Sequence, residues 1–194
     1  MKVIYLFRHS LPEKNSGLEN EFIPLSKKGE FLTEELVNKL NIKLPINVFS
    51  STYLRAKQTA EIITNNVIID ERLIERKIGN KETFTKDLWA MQYIDNNLKN
   101  NNGESFGMVQ NRMNDAINDI LSKMHDNESV VIVSHAAAIC SYLQQYCKIK
   151  VIDANTKHRR IIYDNQTILD GKIEAPSCFV LTFNDKLISI SYVN

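Results

Sequence analysis

Two arginines and two histidines stand just beyond short apolar runs. Arg8-His9 closes the run at 3–7, Ser50-Ser51 followed by Arg55 closes the run at 47–50, and Ser134-His135 closes the run at 129–133. Open α/β sheets bind ligands in the crevice beyond the carboxyl ends of their strands. Three such ends would gather Arg8, His9, Arg55 and His135 in one place. Singly, each has an ordinary reading: a lone His is usually a satisfied structural residue, and a lone Arg a solvated one. Convergence at equivalent strand ends changes the balance.

The chemistry that suits this set is phosphoryl transfer. A phosphoryl group spreads negative charge over its oxygens, and planar guanidinium groups bind those oxygens bidentately. A neutral imidazole can attack phosphorus and split one difficult displacement into two easier ones. His9 is placed for that role, with nearby cations disfavouring its protonation. His135 could donate to the equatorial oxygens as charge shifts. No carboxylate cluster of the kind that holds Mg²⁺ is evident, so the expected site has no metal and no cofactor. The leaving oxygen still needs an acid. Glu75, in Arg72-Leu73-Ile74-Glu75-Arg76-Lys77-Ile78-Gly79, is the candidate, although by residue type alone it reads as a solvated surface carboxylate.

These groups need strands and helices to hold them. The runs at 3–7, 47–50, 67–69 and 129–133 read as strands. Ser26 is placed to cap a helix to about Leu40, with Phe31, Leu32, Leu36 and Leu40 at helical spacing. Ser51 or Thr52 could cap a helix to Ile63. Helices are also expected over 86–98, 104–124 and 136–146. In the second of these, Phe106, Val109, Met113, Ile117 and Leu121 form one core-facing stripe. Segments 177–183 and 187–192, joined around Asn184-Asp185-Lys186, read as a hairpin. The stretch 96–103 reads as a polar loop, and 148–175 carries no assigned element. Strands alternating with helices place the chain in the α/β class.

Composition excludes several function classes. The 194 residues suit one domain spanning 1–194, and 24 Lys and Arg against 23 Asp and Glu leave a net charge of +1. There is no global field for nucleic acid or a membrane surface, and no apolar run can span a bilayer. The N-terminus lacks the pattern of a signal peptide, so the chain reads as cytoplasmic. Cys140, Cys147 and Cys178 form an odd set without a C-x-x-C pair and read as reduced, partly buried thiols. Nothing signals a partner protein or an oligomeric state.

The motifs in their order resemble the histidine phosphatase superfamily, also called phosphoglycerate-mutase-like. Leu6-Phe7-Arg8-His9 is similar to its nucleophile motif, and Pro24-Leu25-Ser26-Lys27-Lys28-Gly29 to the Leu-Thr-x-x-Gly opening its first helix. Ser50-Ser51-Thr52-Tyr53-Leu54-Arg55-Ala56-Lys57-Gln58-Thr59-Ala60 resembles the segment whose Arg binds phosphate. Leu73 to Gly79 resembles the segment whose Glu donates the proton, which gives Glu75 that role. Gly103-Glu104-Ser105 and Val131-Ile132-Val133-Ser134-His135 complete the series. The resemblance implies a three-layer α/β/α sandwich with a mostly parallel sheet and a small phosphate ester as substrate. It implies catalytic His9, Glu75, His135, Arg8 and Arg55. Phosphate binding would fall to Arg8, Arg55, His135, Asn15 and the Ala136 N–H.

Departures at four positions bear on the pocket: Ser10, Leu11 and Pro12 replace the usual Gly, acidic residue and Ser or Thr, so any hydroxyl there comes from Ser10. Ala136 also replaces a Gly. A phosphoglycerate-type mutase and a non-catalytic phospho-ligand sensor are the alternatives to a phosphatase. The short segment from Glu75 to Gly103 favours the phosphatase over the mutase, and the presence of all five chemical groups favours it over the sensor. Trp89, Gln92 and Tyr93 lie where relatives wall the pocket, although core packing explains Trp89 and Tyr93 equally. Thr156-Lys157-His158-Arg159-Arg160 could reach a second anionic group but reads first as a solvated face, and His125 as a surface residue.

Overall fold

The computed structural model describes residues 1–14 and 16–194. β1 (Lys2–Arg8) and β4 (Ser129–Ser134) run side by side and parallel, with Ile4 opposite Val130, Leu6 opposite Ile132 and Arg8 opposite Ser134. Near-continuous apolar sequence of this kind suits strands covered on both faces. β2 (Asn47–Ser50) pairs in parallel with β4, placing Ser50 opposite Val133, and β3 (Val67–Ile69) pairs in parallel beyond it. On the other side of β1 the hairpin of β8 (Ser177–Asn184) and β9 (Lys186–Val193) continues the sheet antiparallel. The strand order is β3-β2-β4-β1-β8-β9.

Alternation along the strands divides the core in two. Ile4, Leu6, Val130 and Ile132 face α4 (Phe106–Lys123) and α5 (Ala136–Leu143), packing with Val109, Met113, Ile117, Ile139 and Leu143. Phe7, Val48, Val131 and Val133 face the other way, towards Leu36 of α1 (Lys27–Leu40) and Ala56 and Ala60 of α2 (Leu54–Glu61). Full burial stabilises by about 1.5–3 kcal/mol for each large apolar side chain, so a one-residue register slip in β1 or β4 would forfeit both layers. The result is the expected three-layer α/β/α sandwich on a mostly parallel sheet.

Several boundaries differ from the sequence reading. The Ser26 hydroxyl does cap α1, accepting from Gly29 N–H at 3.0 Å. Neither Ser51 nor Thr52 caps α2: its N-cap is Tyr53, without a side-chain cap bond, because the Ser51 hydroxyl serves the Tyr53 N–H and His135 instead. α3 (Lys86–Met91) stops well short of residue 98. The Asp95 carboxylate there accepts from the Asn97 N–H at 2.9 Å, a local bond that competes with the helix. α5 likewise ends at Leu143, before residue 146.

The stretch left unassigned folds as a second, antiparallel sheet. β5 (Lys148–Asp153), β6 (His158–Tyr163) and β7 (Gln166–Gly171) lie in that order. Asp164 and Asn165 turn β6 into β7 with φ of 46° and 61°, the left-handed pair a tight hairpin requires. Cys140, Cys147 and Cys178 are buried free thiols. Among the described residues no helix is long and apolar enough to cross a membrane.

Candidate active site

The parallel ladder runs one residue past the strands and sets two imidazoles side by side. His9 N–H donates to the Ser134 carbonyl at 2.9 Å, and Ser51 N–H to the Val133 carbonyl at 3.0 Å. The rings of His9 and His135 meet edge to face with centroids 4.9 Å apart, and both are buried.

The loop after His9 is locked from two sides. Ser10 N–H donates to Thr59 Oγ1 at 3.0 Å, and the Ser10 hydroxyl donates to the Gly29 carbonyl at 2.7 Å. That hydroxyl is thus spent on α1, which corrects the expectation that Ser10 supplies one to phosphate. Leu11 presses so close to α1 that a Cβ on Gly29 would fall 2.3 Å from the Leu11 carbonyl oxygen. The glycine of Leu25-Ser26-Lys27-Lys28-Gly29 therefore brings the first helix against the loop carrying His9.

Hydrogen bonding fixes which His9 nitrogen is free. Nδ1 lies 2.7 Å from the Ser10 carbonyl oxygen, which can only accept, so Nδ1 carries the proton. Nε2 keeps its lone pair and accepts from Arg55 Nε at 3.1 Å. Burial first, then the guanidinium groups of Arg55 and Arg8, hold His9 well below the ordinary imidazole range; the bond to Ser10 acts weakly the other way. The sequence reading credited the cations, yet burial is the larger cause. Burial likewise pushes His135 well down, followed by His9, Arg55 and Arg8.

Arg55, on the first turn of α2, ties the group together. Its Nη1 donates to the Asn20 carbonyl, and its Nη2 stands 3.5 Å from His135 Nδ1, at the far edge of hydrogen bonding. The other nitrogen of His135, Nε2, lies 2.8 Å from the Ser51 hydroxyl. With Nδ1 turned to Arg55, Nε2–H donates to Ser51. Reversing the serine hydroxyl would move the imidazole proton to Nδ1, where it could meet a phosphoryl oxygen.

Glu75 follows the 3-10 turn Glu71–Leu73 after the extended Ile74. Its carboxylate sits at the N-terminus of α5, accepting from Ala138 N–H at 3.1 Å, Ala137 N–H at 3.4 Å and Arg76 N–H at 2.8 Å. These three amides fix where the carboxyl group points. Arg112 of α4 grips the segment from behind. Its Nη1 donates to the carbonyls of Arg72 at 2.7 Å and Ile74 at 2.9 Å, and its Nη2 to that of Glu75 at 3.3 Å. Glu104 pairs with Arg112 at 2.9 Å and accepts from Lys77 N–H at 2.9 Å.

A cleft of about 270 Å³ opens beside these groups. Arg8, Glu75, Ala136 and Ala137 line it together with Lys157, Arg159 and Lys172, and Phe84 and Trp89 add aromatic wall. Arg8 donates through Nη1 to the Ile173 carbonyl, while its Nε is buried without a partner. His9, Arg55 and His135 do not line the cleft themselves: they are buried, and reaching Nε2 of His9 requires Arg55 to release it. A larger depression of about 560 Å³ lies at the amino ends of β2 and β4, with Lys43 and Glu128 among its lining, away from the histidines.

The structure therefore brings together Arg8, His9, Arg55, Glu75, His135 and Ala136. Asn15 lies outside the described residues. Of the two readings of Trp89 and Tyr93, both residues are buried in the core, and Trp89 also edges the cleft; Gln92 is buried, and His125 is exposed. The basic run 156–160 corrects the solvated reading. His158 and Arg160 do pair with exposed Asp170, but Lys157 and Arg159 turn to the cleft. Sequence reasoning missed the Arg112 grip and the uses of Ser51 and Thr59. The hydroxyl residues were within the matched Ser-Ser segment, whereas nothing marked Arg112.

Comparisons with known proteins bear on family and fold. The family model of the histidine phosphatase superfamily (branch 1) matches residues 4–186. YhfR of Bacillus stearothermophilus has a similar structure at TM-score 0.70 and 22% identity, covering 97% of this chain and 95% of that one. A mycobacterial glucosyl-3-phosphoglycerate phosphatase is similar at TM-score 0.70 and 20% identity, over 99% and 96%. A phosphoglycerate mutase from Thermus thermophilus gives 0.63 and 18%, over 99% of each chain. At such identities the likeness is one of fold alone. No curated protein matches the chain. The family match covers nearly the whole length and takes in every strand end that gathers the buried imidazoles and guanidiniums: this chain belongs to the histidine phosphatase superfamily.

Proposed function

We propose that the chain is a phosphomonoesterase that hydrolyses a small phosphate ester through a phosphohistidine on His9. The observation that carries this reading is the His9 tautomer: Nδ1–H is tied to Ser10, and a neutral Nε2 faces Arg55 at 3.1 Å. An entering phosphoryl group takes the guanidinium of Arg55 in exchange for that bond. Arg8, His135 and the Ala136 N–H complete the anion site. Nε2 attacks phosphorus, the P–O bond to the leaving group breaks, and Glu75 as the acid protonates the departing oxygen. Glu75, now ionised, takes a proton from water, whose oxygen attacks phosphorus; the P–N bond breaks and phosphate leaves.

None of these steps calls on a metal ion. Among the described residues no three His, Cys, Asp or Glu side chains come together as a metal site. The test is phosphate release from a panel of alkyl and aryl phosphates, with and without bisphosphoglycerate and with EDTA. Steady release unaffected by EDTA supports the reading. Transfer between phosphoglycerates without release would make the chain a mutase, and binding without either reaction a sensor.

A further inference from the structure

The cleft is far more positive than one phosphate ester requires. Arg8, Arg76, Lys157, Arg159 and Lys172 all line it with Glu75, so five cations share the cleft with one carboxylate. Among the described residues none of Arg8, Arg76, Lys157 or Arg159 has a carboxylate at salt-bridge distance, and Lys172 has only exposed Glu174 at 3.8 Å. Arg76 is 4% exposed, and its Nε is buried without a partner. Buried cations without counter-charge are costly unless an anion arrives to meet them.

Resting on the phosphatase reading, we infer that Arg159, Lys157 and Lys172 form a second anion subsite, so that the substrate carries a carboxylate or a second phosphate on its leaving group. Arg159 is built for this. It is 3% exposed, its guanidinium lies over Trp89 at 4.9 Å and Tyr93 at 5.5 Å, and its Nε donates to Tyr93 Oη at 2.7 Å. The fork is thus held in one orientation before any ligand binds, which reduces the ordering cost of bidentate recognition. Lys157 sits in the β5–β6 turn with φ of 60°, a conformation an L-residue adopts at some cost. Burial and the nearby charges of Arg159 and Arg8 hold its ammonium below the usual range, as a crowded positive field does. β6 and the segments flanking β6 and β7 supply these groups, and Trp89 and Phe84 line the same cleft.

Binding of non-hydrolysable ligands separates this inference from the reaction. Calorimetry would compare ω-phosphonocarboxylates and α,ω-bisphosphonates of increasing methylene spacer with alkylphosphonates of equal length. At the spacer that fits, the second anion should tighten binding by about tenfold or more, the worth of one charge-assisted contact. The Lys157→Gln/Lys172→Gln double variant should lose most of that advantage. Neither lysine packs in the core, whereas replacing Arg159 would disturb its packing on Trp89 and Tyr93. Lys150→Gln removes an exposed charge from the same sheet outside the cleft and should leave the advantage in place. No advantage at any spacer, or an equal loss in Lys150→Gln, would overturn the subsite. A normal advantage in a protein that turns over no phosphate ester would instead overturn the phosphatase reading and leave the subsite standing.

Discussion

Nε2 of His9 lies 3.1 Å from Nε of Arg55, so the lone pair assigned to attack phosphorus is held by the guanidinium assigned to bind the phosphoryl group. One cation thereby orients the nucleophile, helps keep it neutral and marks where the transferred group must sit. Arg55→Ala should lower turnover of alkyl and aryl phosphates alike, by roughly 10²–10³, because the residue acts on the transferred group. Steady-state rates on both ester types check this. A loss confined to alkyl esters would place Arg55 on the leaving group instead.

Glu75 should show the opposite pattern. An alkyl ester expels a basic alkoxide that needs a proton, so Glu75→Gln should slow its first step by roughly 10²–10⁴. A p-nitrophenyl ester expels a stable phenolate and should lose much less. Single-turnover phosphoenzyme formation isolates this step from the water-dependent one. Equal losses would move the search for the acid to Glu13 and Glu82.

Arg112 acts through Glu75 as a positioning residue. It holds the carbonyls of Arg72, Ile74 and Glu75, and its half-buried partner Glu104 would be left unpaired without it. Arg112→Met should lower stability by about 3 kcal/mol in urea unfolding. It should also reproduce the alkyl-over-aryl selectivity of the Glu75→Gln defect. Lost stability with an even loss across esters would reduce the residue to scaffolding.

The two site imidazoles make stability depend on acidity. Both are held well below the ordinary range, chiefly by burial. The unfolded chain takes up protons on them below about pH 6.5 while the folded chain does not, so stability is full above that value and falls as pH drops below it. Urea unfolding should show a shallower acid slope for His9→Gln than for the parent. Nitrogen NMR should find His9 neutral at about pH 6, as the Nδ1–H tautomer that the Ser10 carbonyl requires. A protonated ring at that pH would contradict the site.

Much of this was legible in sequence because the parallel core obeys simple rules. Apolar runs ending in Arg8-His9, Ser50-Ser51 and Ser134-His135 had to be neighbouring strand ends if the sheet was parallel, and the register confirms it. Glu75 was harder, since a glutamate's surroundings are not written beside it. Its place against Ala137 and Ala138 depends on Arg112 gripping from another helix. The β6–β7 hairpin was within reach, as Asp164-Asn165 between Ile161-Ile162-Tyr163 and Thr167-Ile168-Leu169 carries the turn signal. Without that hairpin the run 156–160 looked uniformly solvated. Strand alternation is what sends Arg159 inward and Arg160 outward.

The central claim is a covalent bond between phosphorus and His9. Rapid quenching of the enzyme with a labelled phosphate ester in alkaline denaturant, followed by peptide mass analysis, tests it directly. A P–N bond survives base and breaks in acid, so the label should be base-stable and acid-labile, reside on the peptide containing His9, and be missing from His9→Ala. Turnover with no trapped label, or label carried by any other residue, would contradict the account.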